Sequence, residues 1–198
     1  MHDIHGVKDF DFNKKASKYD SSMGKMAKRF YRLLMSQIVL EPGMNVLDVG
    51  CGTGVLLRNM ADMCQIHGHG IDISENMIAV TKAKCPDMDI QVCRCESTPF
   101  EDQTFDLITV CLAYHHFADK AGFAKEAARI LKPGGVICIA DPRLPLIVRK
   151  FLNGFFRHLN IAGAINTSEE VFDFLAEYGF SPDGFFYKGY AQVIRIRR

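Results

Sequence analysis

Val46-Leu47-Asp48-Val49-Gly50-Cys51-Gly52-Thr53-Gly54 runs from an apolar strand through three glycines into the helix pattern of Val55 to Cys64. A strand that passes into a helix through glycine is the opening unit of an open α/β sheet. Glycine there lets the backbone approach a ligand closely and leaves the N–H groups of the helix start free to bind an anionic part of it. The dinucleotide fingerprint requires G-x-G-x-x-G, whereas this stretch reads G-x-G-x-G and its sixth position is Val55. Asp48, two residues ahead of Gly50, would stand at the carboxyl end of the strand, facing the crevice where a dinucleotide site presents apolar backbone to a pyrophosphate. A carboxylate there suits a ligand that carries positive charge.

Working outward, Gly70 to Ile73 reads as the second strand and ends on Asp72, eighteen residues beyond Gly54. An acid at that point accepts hydrogen bonds from ribose hydroxyls. A nicotinamide dinucleotide also owns a ribose, so Asp72 supports a nucleoside without choosing which, and the choice rests on Asp48 and the glycine spacing. Ser74 is an N-cap for a helix that stops before Pro86. Ile90 to Arg94 and Phe105 to Cys111 follow as strands, and Asp119 to Leu131 is an amphipathic helix. Val136 to Ala140 is a wholly apolar strand of the buried kind.

Before the glycine loop, Lys25 to Leu40 places Phe30, Leu33, Leu34 and Ile38 at helical spacing. After Pro142 the rhythm changes. Leu144 to Leu159 is a helix candidate rich in Phe, Leu and Arg, and it reads as an insertion. Thr167 and Glu170 form a capping box that opens a helix closing at Gly179. Phe185 to Tyr190 and Gln192 to Arg197 form a terminal hairpin. Strand and helix patterns in alternation predict a single α/β domain over residues 1–198 with a doubly wound, mostly parallel, seven-stranded sheet. Residues 1–41 and 142–166 are expected to form a partial helical lid.

Composition sets the outer limits. The chain has 198 residues, 48% of them hydrophobic and 24% charged, with a net charge of +1, which is ordinary for a globular domain and does not suggest nucleic acid. No apolar run reaches the roughly 18 residues of a membrane span, and the lysine-rich start lacks the apolar core of a secretory signal. Seven cysteines without a Cys-x-x-Cys pair fit free thiols in the cytoplasm. Cys93 and Cys95, two apart in a strand, share a face, either as buried small residues or as a soft thiol site. No zinc spacing occurs, and no bound metal is expected. Nothing in the sequence sets the oligomeric state.

At this point the sequence resembles the class I S-adenosylmethionine-dependent methyltransferases, in the small-molecule branch that includes quinone-biosynthesis C-methyltransferases. VLDVGCGTG resembles the family's first motif, and Gly70 to Ser74 with Met77 its second. Glu96, Pro99, Phe100, Phe105 and Asp106 resemble the stretch before the fourth strand, and Ile130 to Gly135 (ILKPGG) the approach to the fifth. The resemblance covers nearly the whole chain. It implies the Rossmann-like methyltransferase fold, S-adenosylmethionine as cofactor and a small-molecule acceptor. Gly50, Cys51, Gly52 and Gly54, beside Asp48, would then contact the methionine part, Asp72 the ribose, Ile73 and Met77 the adenine, and Cys95 with Glu96 the adenine edge. Cys111, at the end of the fourth strand, is counted with them. Tyr19, in Ala16-x-x-Tyr19-Asp20, resembles a tyrosine that closes over the cofactor. One position departs from the pattern: Arg94 stands where the family has an acid for the adenine amine, and a guanidinium has no acceptor to offer.

Candidate groups for the chemistry lie at the carboxyl ends of the fourth and fifth strands: Tyr114, His115 and His116, and Asp141. His116 is the favoured base or acceptor-positioning residue, with Asp141 as a second. CLAYHHF is not the Asn/Asp-Pro-Pro-aromatic motif of adenine amino methyltransferases, and no Pro-Cys nucleophile occurs, so base methylation is disfavoured. From Lys8 to Arg32 there are eight basic and three acidic residues. Near the site mouth they would favour an acidic or amphipathic acceptor; a solvated basic face is the preferred reading. The expected function is therefore S-adenosylmethionine-dependent methylation of a small aromatic or acidic molecule. An NAD-dependent oxidoreductase and a non-catalytic cofactor binder are the alternatives.

Overall fold

The computed structural model describes residues 24–159 and 164–198. Its sheet has seven strands, β1 (Asn45–Val49), β2 (His67–Asp72), β3 (Asp89–Val92), β4 (Phe105–Cys111), β5 (Leu131–Pro142), β6 (Ser181–Lys188) and β7 (Ala191–Arg197). They lie in the order β3-β2-β1-β4-β5-β7-β6. Strands β1 to β5 pair in parallel, and β7 runs antiparallel between β5 and β6. The doubly wound seven-stranded sheet of the sequence reading is present. The order reverses between β1 and β4, so a crevice opens at their carboxyl ends.

The helices are α1 (Gly24–Met35), α2 (Val55–Met63), α3 (Glu75–Lys84), α4 (Lys120–Ile130), α5 (Leu146–His158) and α6 (Ser168–Ala176). Because successive side chains of a strand point to opposite faces, each central strand feeds two cores. Leu47, Ile108, Ile137 and Ile139 meet Phe123, Ala127, Val171 and Leu175 of α4 and α6 on one face. Val46, Leu107, Cys138 and Val193 meet Phe30, Leu34, Leu57, Met60 and Ile78 of α1, α2 and α3 on the other.

Several bounds differ from the expected ones. The first helix ends at Met35 and not Leu40, because the Ser36 hydroxyl donates to the Leu33 carbonyl and closes the last turn. Strand β2 begins at His67, where His67 N–H donates to the Met44 carbonyl; His69 packs edge-on against Phe100 and Phe105. Strand β5 begins at Leu131, paired with Phe105, ahead of an irregularity at Leu107. Thr167 and Glu170 form the expected reciprocal capping box. All seven cysteines are free. Residues 1–23 of the segment expected as a lid lie outside the described residues. The helix that follows buries Phe30 and Leu34 against the sheet.

Candidate functional site

Three alternate glycines shape the loop after β1. Gly50, Gly52 and Gly54 all adopt positive φ, at 68°, 54° and 74°. Gly50 is required twice over, since a Cβ there would lie 2.6 Å from the Cβ of Ala113 as well as being strained. At Gly52 a Cβ would meet no protein atom within 4 Å; bare backbone faces a cavity there. The loop is tied at both sides. Gly50 and Cys51 N–H donate to the Ile71 carbonyl, at 2.8 and 3.0 Å. Thr81 Oγ1 donates to the Gly52 carbonyl at 2.6 Å, and Gly52 N–H donates to Asp72 Oδ2 at 2.9 Å. Asp72 Oδ1 accepts from Ser74 N–H at 2.9 Å, so this carboxylate braces the loop as well as facing the cavity.

Asp48 and Asp72 both line that cavity. Asp48 is buried, and Thr109 Oγ1 donates to its Oδ1 at 2.8 Å. Burial raises the Asp48 carboxyl to about 7, with the nearby Asp72 charge adding to the rise and the Thr109 bond opposing it. Burial also raises Asp72, against its bonds from Ser74 and Gly52. Cys51 and Cys111 line the same wall, and burial pushes both thiols up, which makes them apolar walls and not thiolate nucleophiles.

Ile73, Met77, Cys93, Arg94, Cys95 and Glu96 also line the cavity. Arg94 Nε and Nη2 both donate to Glu96 Oε1, at 2.7 and 2.5 Å. This segment is anchored to α4, where Glu126 Oε1 accepts from both the backbone and the hydroxyl of Thr98 at 2.8 and 2.6 Å. Gly122 permits the approach, since a Cβ there would lie 2.6 Å from that of Glu96.

The third wall is the turn after β4. Leu112 takes a positive φ of 56°, which a branched side chain rarely adopts, and a short 3-10 turn over Tyr114–His116 follows. His116 lines the cavity. Burial lowers it to about 3, assisted by His115 and Lys120, so its imidazole is neutral. Asp141 is not among the lining residues. Its Oδ2 accepts from His115 N–H and its Oδ1 meets His115 Nδ1, both at 2.9 Å.

The structure thus brings together on one cavity Asp48, Gly50, Cys51, Gly52, Asp72, Ile73, Met77, Cys95, Glu96, Cys111 and His116. Gly54 shapes the loop without lining the cavity: a Cβ there would strike Thr81 Cγ2 at 2.6 Å. Tyr19 lies outside the described residues. Sequence reading missed Thr81 and Thr109, which hold the loop and Asp48, and Tyr31, which reaches the cavity from α1. Thr109 did leave a signal as the one hydroxyl between Leu107 and Cys111. Bare backbone at Gly52, a ribose-height carboxylate and a second buried carboxylate fit a nucleoside bearing positive charge. They fit a pyrophosphate badly, because its two charges would face two carboxylates.

Residues 47–139 match the methyltransferase domain family. A demethylmenaquinone methyltransferase of Chlorobaculum parvum is 32% identical over 143 residues, 70% of this chain and 59% of the relative; the chain therefore spans under two-thirds of that relative's length. In structure, a chain from the complex between the Haloferax volcanii Trm112 methyltransferase activator and a methyltransferase has a TM-score of 0.82 at 21% identity, over 94% of this chain and 97% of that one. Geranyl diphosphate C-methyltransferase from Streptomyces coelicolor, solved with S-adenosylhomocysteine, has a TM-score of 0.73 at 14% identity, over 93% of this chain and 84% of that one. At these identities the likeness is one of fold.

Proposed function

We propose, from the match of residues 47–139 to the methyltransferase domain family, that the chain transfers a methyl group from S-adenosylmethionine to a small-molecule acceptor. The observation that carries the proposal is the pair of carboxylates, Asp48 and Asp72, behind a glycine loop with open backbone at Gly52. S-adenosylmethionine, when bound, supplies an electrophilic methyl on a sulfonium and carries its own ammonium. Asp48 would offset that positive charge, Asp72 would accept from the ribose hydroxyls, and Ile73 and Met77 would flank the adenine.

The protein's task in such a transfer is alignment and exclusion of water, and holding a nucleophile in line supplies roughly 7 to 11 kcal/mol. The apolar walls of Cys51, Cys111, Leu112, Ala113 and Phe117 keep water from the reacting end of the cavity. His116, neutral and facing the cavity, accepts a hydrogen bond from an acceptor's hydroxyl and fixes its direction. Asp141 acts at one remove, holding His115 and through it the turn that carries His116.

The acceptor is a small aromatic or enol-like molecule, and the relative's activity makes a demethylated naphthoquinone the first one to try. Calorimetry with S-adenosylmethionine, S-adenosylhomocysteine and NAD tests the cofactor. Both nucleosides should bind with micromolar affinity and NAD should not. Saturable NAD binding without either nucleoside would restore the oxidoreductase reading. Transfer is read by mass, as a gain of one methylene in the acceptor.

A further inference from the structure

Helix α5 is attached with its sides reversed. An amphipathic helix of a globular domain ordinarily buries its apolar stripe and turns its polar side to water. In α5 only Leu152 and Phe156 among the apolar side chains from Leu146 to Leu159 are even half-buried, and the hydrogen-bonded ties to the body are polar. Arg149 pairs with Glu170. One turn on, Asn153 Nδ2 donates to the Ile165 carbonyl at 3.0 Å and its Oδ1 accepts from Ile165 N–H at 2.9 Å. No residue of the helix is buried. Ile147, Val148, Phe151, Phe155 and Leu159 share the outer side at helical spacing, with Ile147 83% and Phe151 72% exposed. Among the described residues no element covers them.

We propose that this face docks on an anionic lipid surface. Charge selects that occupant. From Pro142 to Ser168 there is no acidic residue; Arg149 is matched by Glu170, which leaves Arg143, Lys150 and Arg157 as the basic residues of this stretch, in a chain whose net charge is only +1. Lys150 and Arg157 are exposed and lie together beside the apolar side. The end of β6 and the turn after it add exposed Tyr187, Lys188 and Tyr190. Arg143 N–H donates to the Tyr190 carbonyl at 2.6 Å, and its guanidinium lies 4.7 Å above the Tyr187 ring. Apolar side chains flanked by cations and amphipathic tyrosines are the composition that enters the headgroup boundary of a bilayer. An apolar protein groove would cover the same side chains but would not call for the basic flank.

The position of the face gives the docking a consequence. Helix α5 leaves the carboxyl end of β5, and the chain returns where Ala164 N–H donates to the His115 carbonyl at 2.8 Å, one residue from His116. Seating α5 on a membrane would bring this turn, and the cavity it lines, close to the lipid surface. The docking itself does not depend on methyl transfer.

Sedimentation with vesicles tests it, using the full chain and either pure phosphatidylcholine or phosphatidylcholine with about a third phosphatidylglycerol. The wild type should partition onto the anionic vesicles and weakly onto the neutral ones. Lys150→Ala with Arg157→Ala should weaken anionic partitioning about thirtyfold, at about fivefold per cation. Ile147→Ser with Phe151→Ser should weaken it about a hundredfold or more. Unchanged melting temperatures in both double variants establish that the fold is intact. The proposal is overturned by no partitioning onto anionic vesicles, by equal partitioning onto both kinds, or by wild-type partitioning of Ile147→Ser with Phe151→Ser. Light scattering that shows a dimer lost in that same variant, without vesicle binding, would overturn it in favour of a second copy of the chain.

Discussion

Asp48 and Thr109 stand level across the β1–β4 ladder, and the threonine hydroxyl donates 2.8 Å to a carboxylate that is otherwise sunk in the sheet. Burial has lifted that carboxyl to about 7, so the free protein holds a proton there that the unfolded chain gives up near pH 4. The native state therefore binds more protons between those values, and stability falls as pH rises from about 4 to about 7. Asp48→Asn removes this cost and should stabilise the ligand-free chain at pH 8 by on the order of 4 kcal/mol, measured by denaturant unfolding. The same variant should bind S-adenosylmethionine less well. Wild-type binding at neutral pH should release a proton, visible as a buffer-dependent calorimetric enthalpy. Equal stability of variant and wild type at pH 8 would mean Asp48 is ionised and solvated in the free state.

Asp72 holds Gly52 N–H and Ser74 N–H on separate oxygens, so its removal costs more than a ribose contact. A hydrogen bond to a charged group contributes roughly 1.5 to 3 kcal/mol, about ten- to a hundredfold in affinity. Asp72→Ala should weaken S-adenosylhomocysteine by at least that factor and lower the melting temperature as well. Asp72→Asn keeps one acceptor oxygen and should retain more stability than affinity. If both variants bind as the wild type does, the ribose is held elsewhere.

Legibility in the sequence followed the range of the interaction. Strand β4 is found at the expected Phe105 to Cys111, because its apolar run is bounded by local signals. The loop from Gly50 to Gly54 was readable for the same reason: positive φ is a property of single residues. Strand β2 begins three residues earlier than expected because His67 and His69 read as polar, whereas His69 is absorbed by Phe100 and Phe105 from distant parts of the chain. Asp48 was legible and Thr109 was not, since pairing them needs the register between strands sixty-one residues apart. Asp141 was singled out as a site residue, but its partner, His115, is fixed by the adjacency of β4 and β5. Helix α5 was legible as a helix, while the direction of its apolar side depended on Arg149 and Asn153 finding Glu170 and Ile165.

Arg94 grips a single oxygen of Glu96 with two nitrogens, so the other, Oε2, which meets only the weakly donating Cys95 thiol at 3.3 Å, is the carboxylate edge that faces an adenine amine. The arginine is half exposed and Glu96 is largely covered. Glu96→Ala should therefore weaken S-adenosylhomocysteine about tenfold. Arg94→Ala frees the other oxygen and should leave affinity unchanged or improved in the same titration. A loss with Arg94→Ala as large as that with Glu96→Ala would show that the guanidinium orients the carboxylate and is needed for it.

The rings of His115 and His116 lie with centroids 4.0 Å apart, tilted by 43°, yet their surroundings give them different work. His115 is held by Asp141 through its backbone and its Nδ1. His115→Ala would leave Asp141 buried without its ring partner, a loss of about 1 to 3 kcal/mol that should appear as a melting temperature lower by roughly 2 to 10 °C. His116 faces the cavity, and burial holds it at about 3. Such an imidazole stays neutral across the working range and is a weak base, so its contribution is a directed hydrogen bond to the acceptor. His116→Ala should lower kcat about ten- to a hundredfold, with S-adenosylhomocysteine affinity unchanged. That is at or below the lower end of the 10² to 10⁴ of a general base. The pH profile of kcat should show no step near 6.5 that disappears in the variant. A fall beyond a thousandfold together with the loss of such a step would make His116 the base, and its environment in the acceptor complex would have to raise its pKa. No fall at all would assign the transfer to alignment by the cavity walls alone.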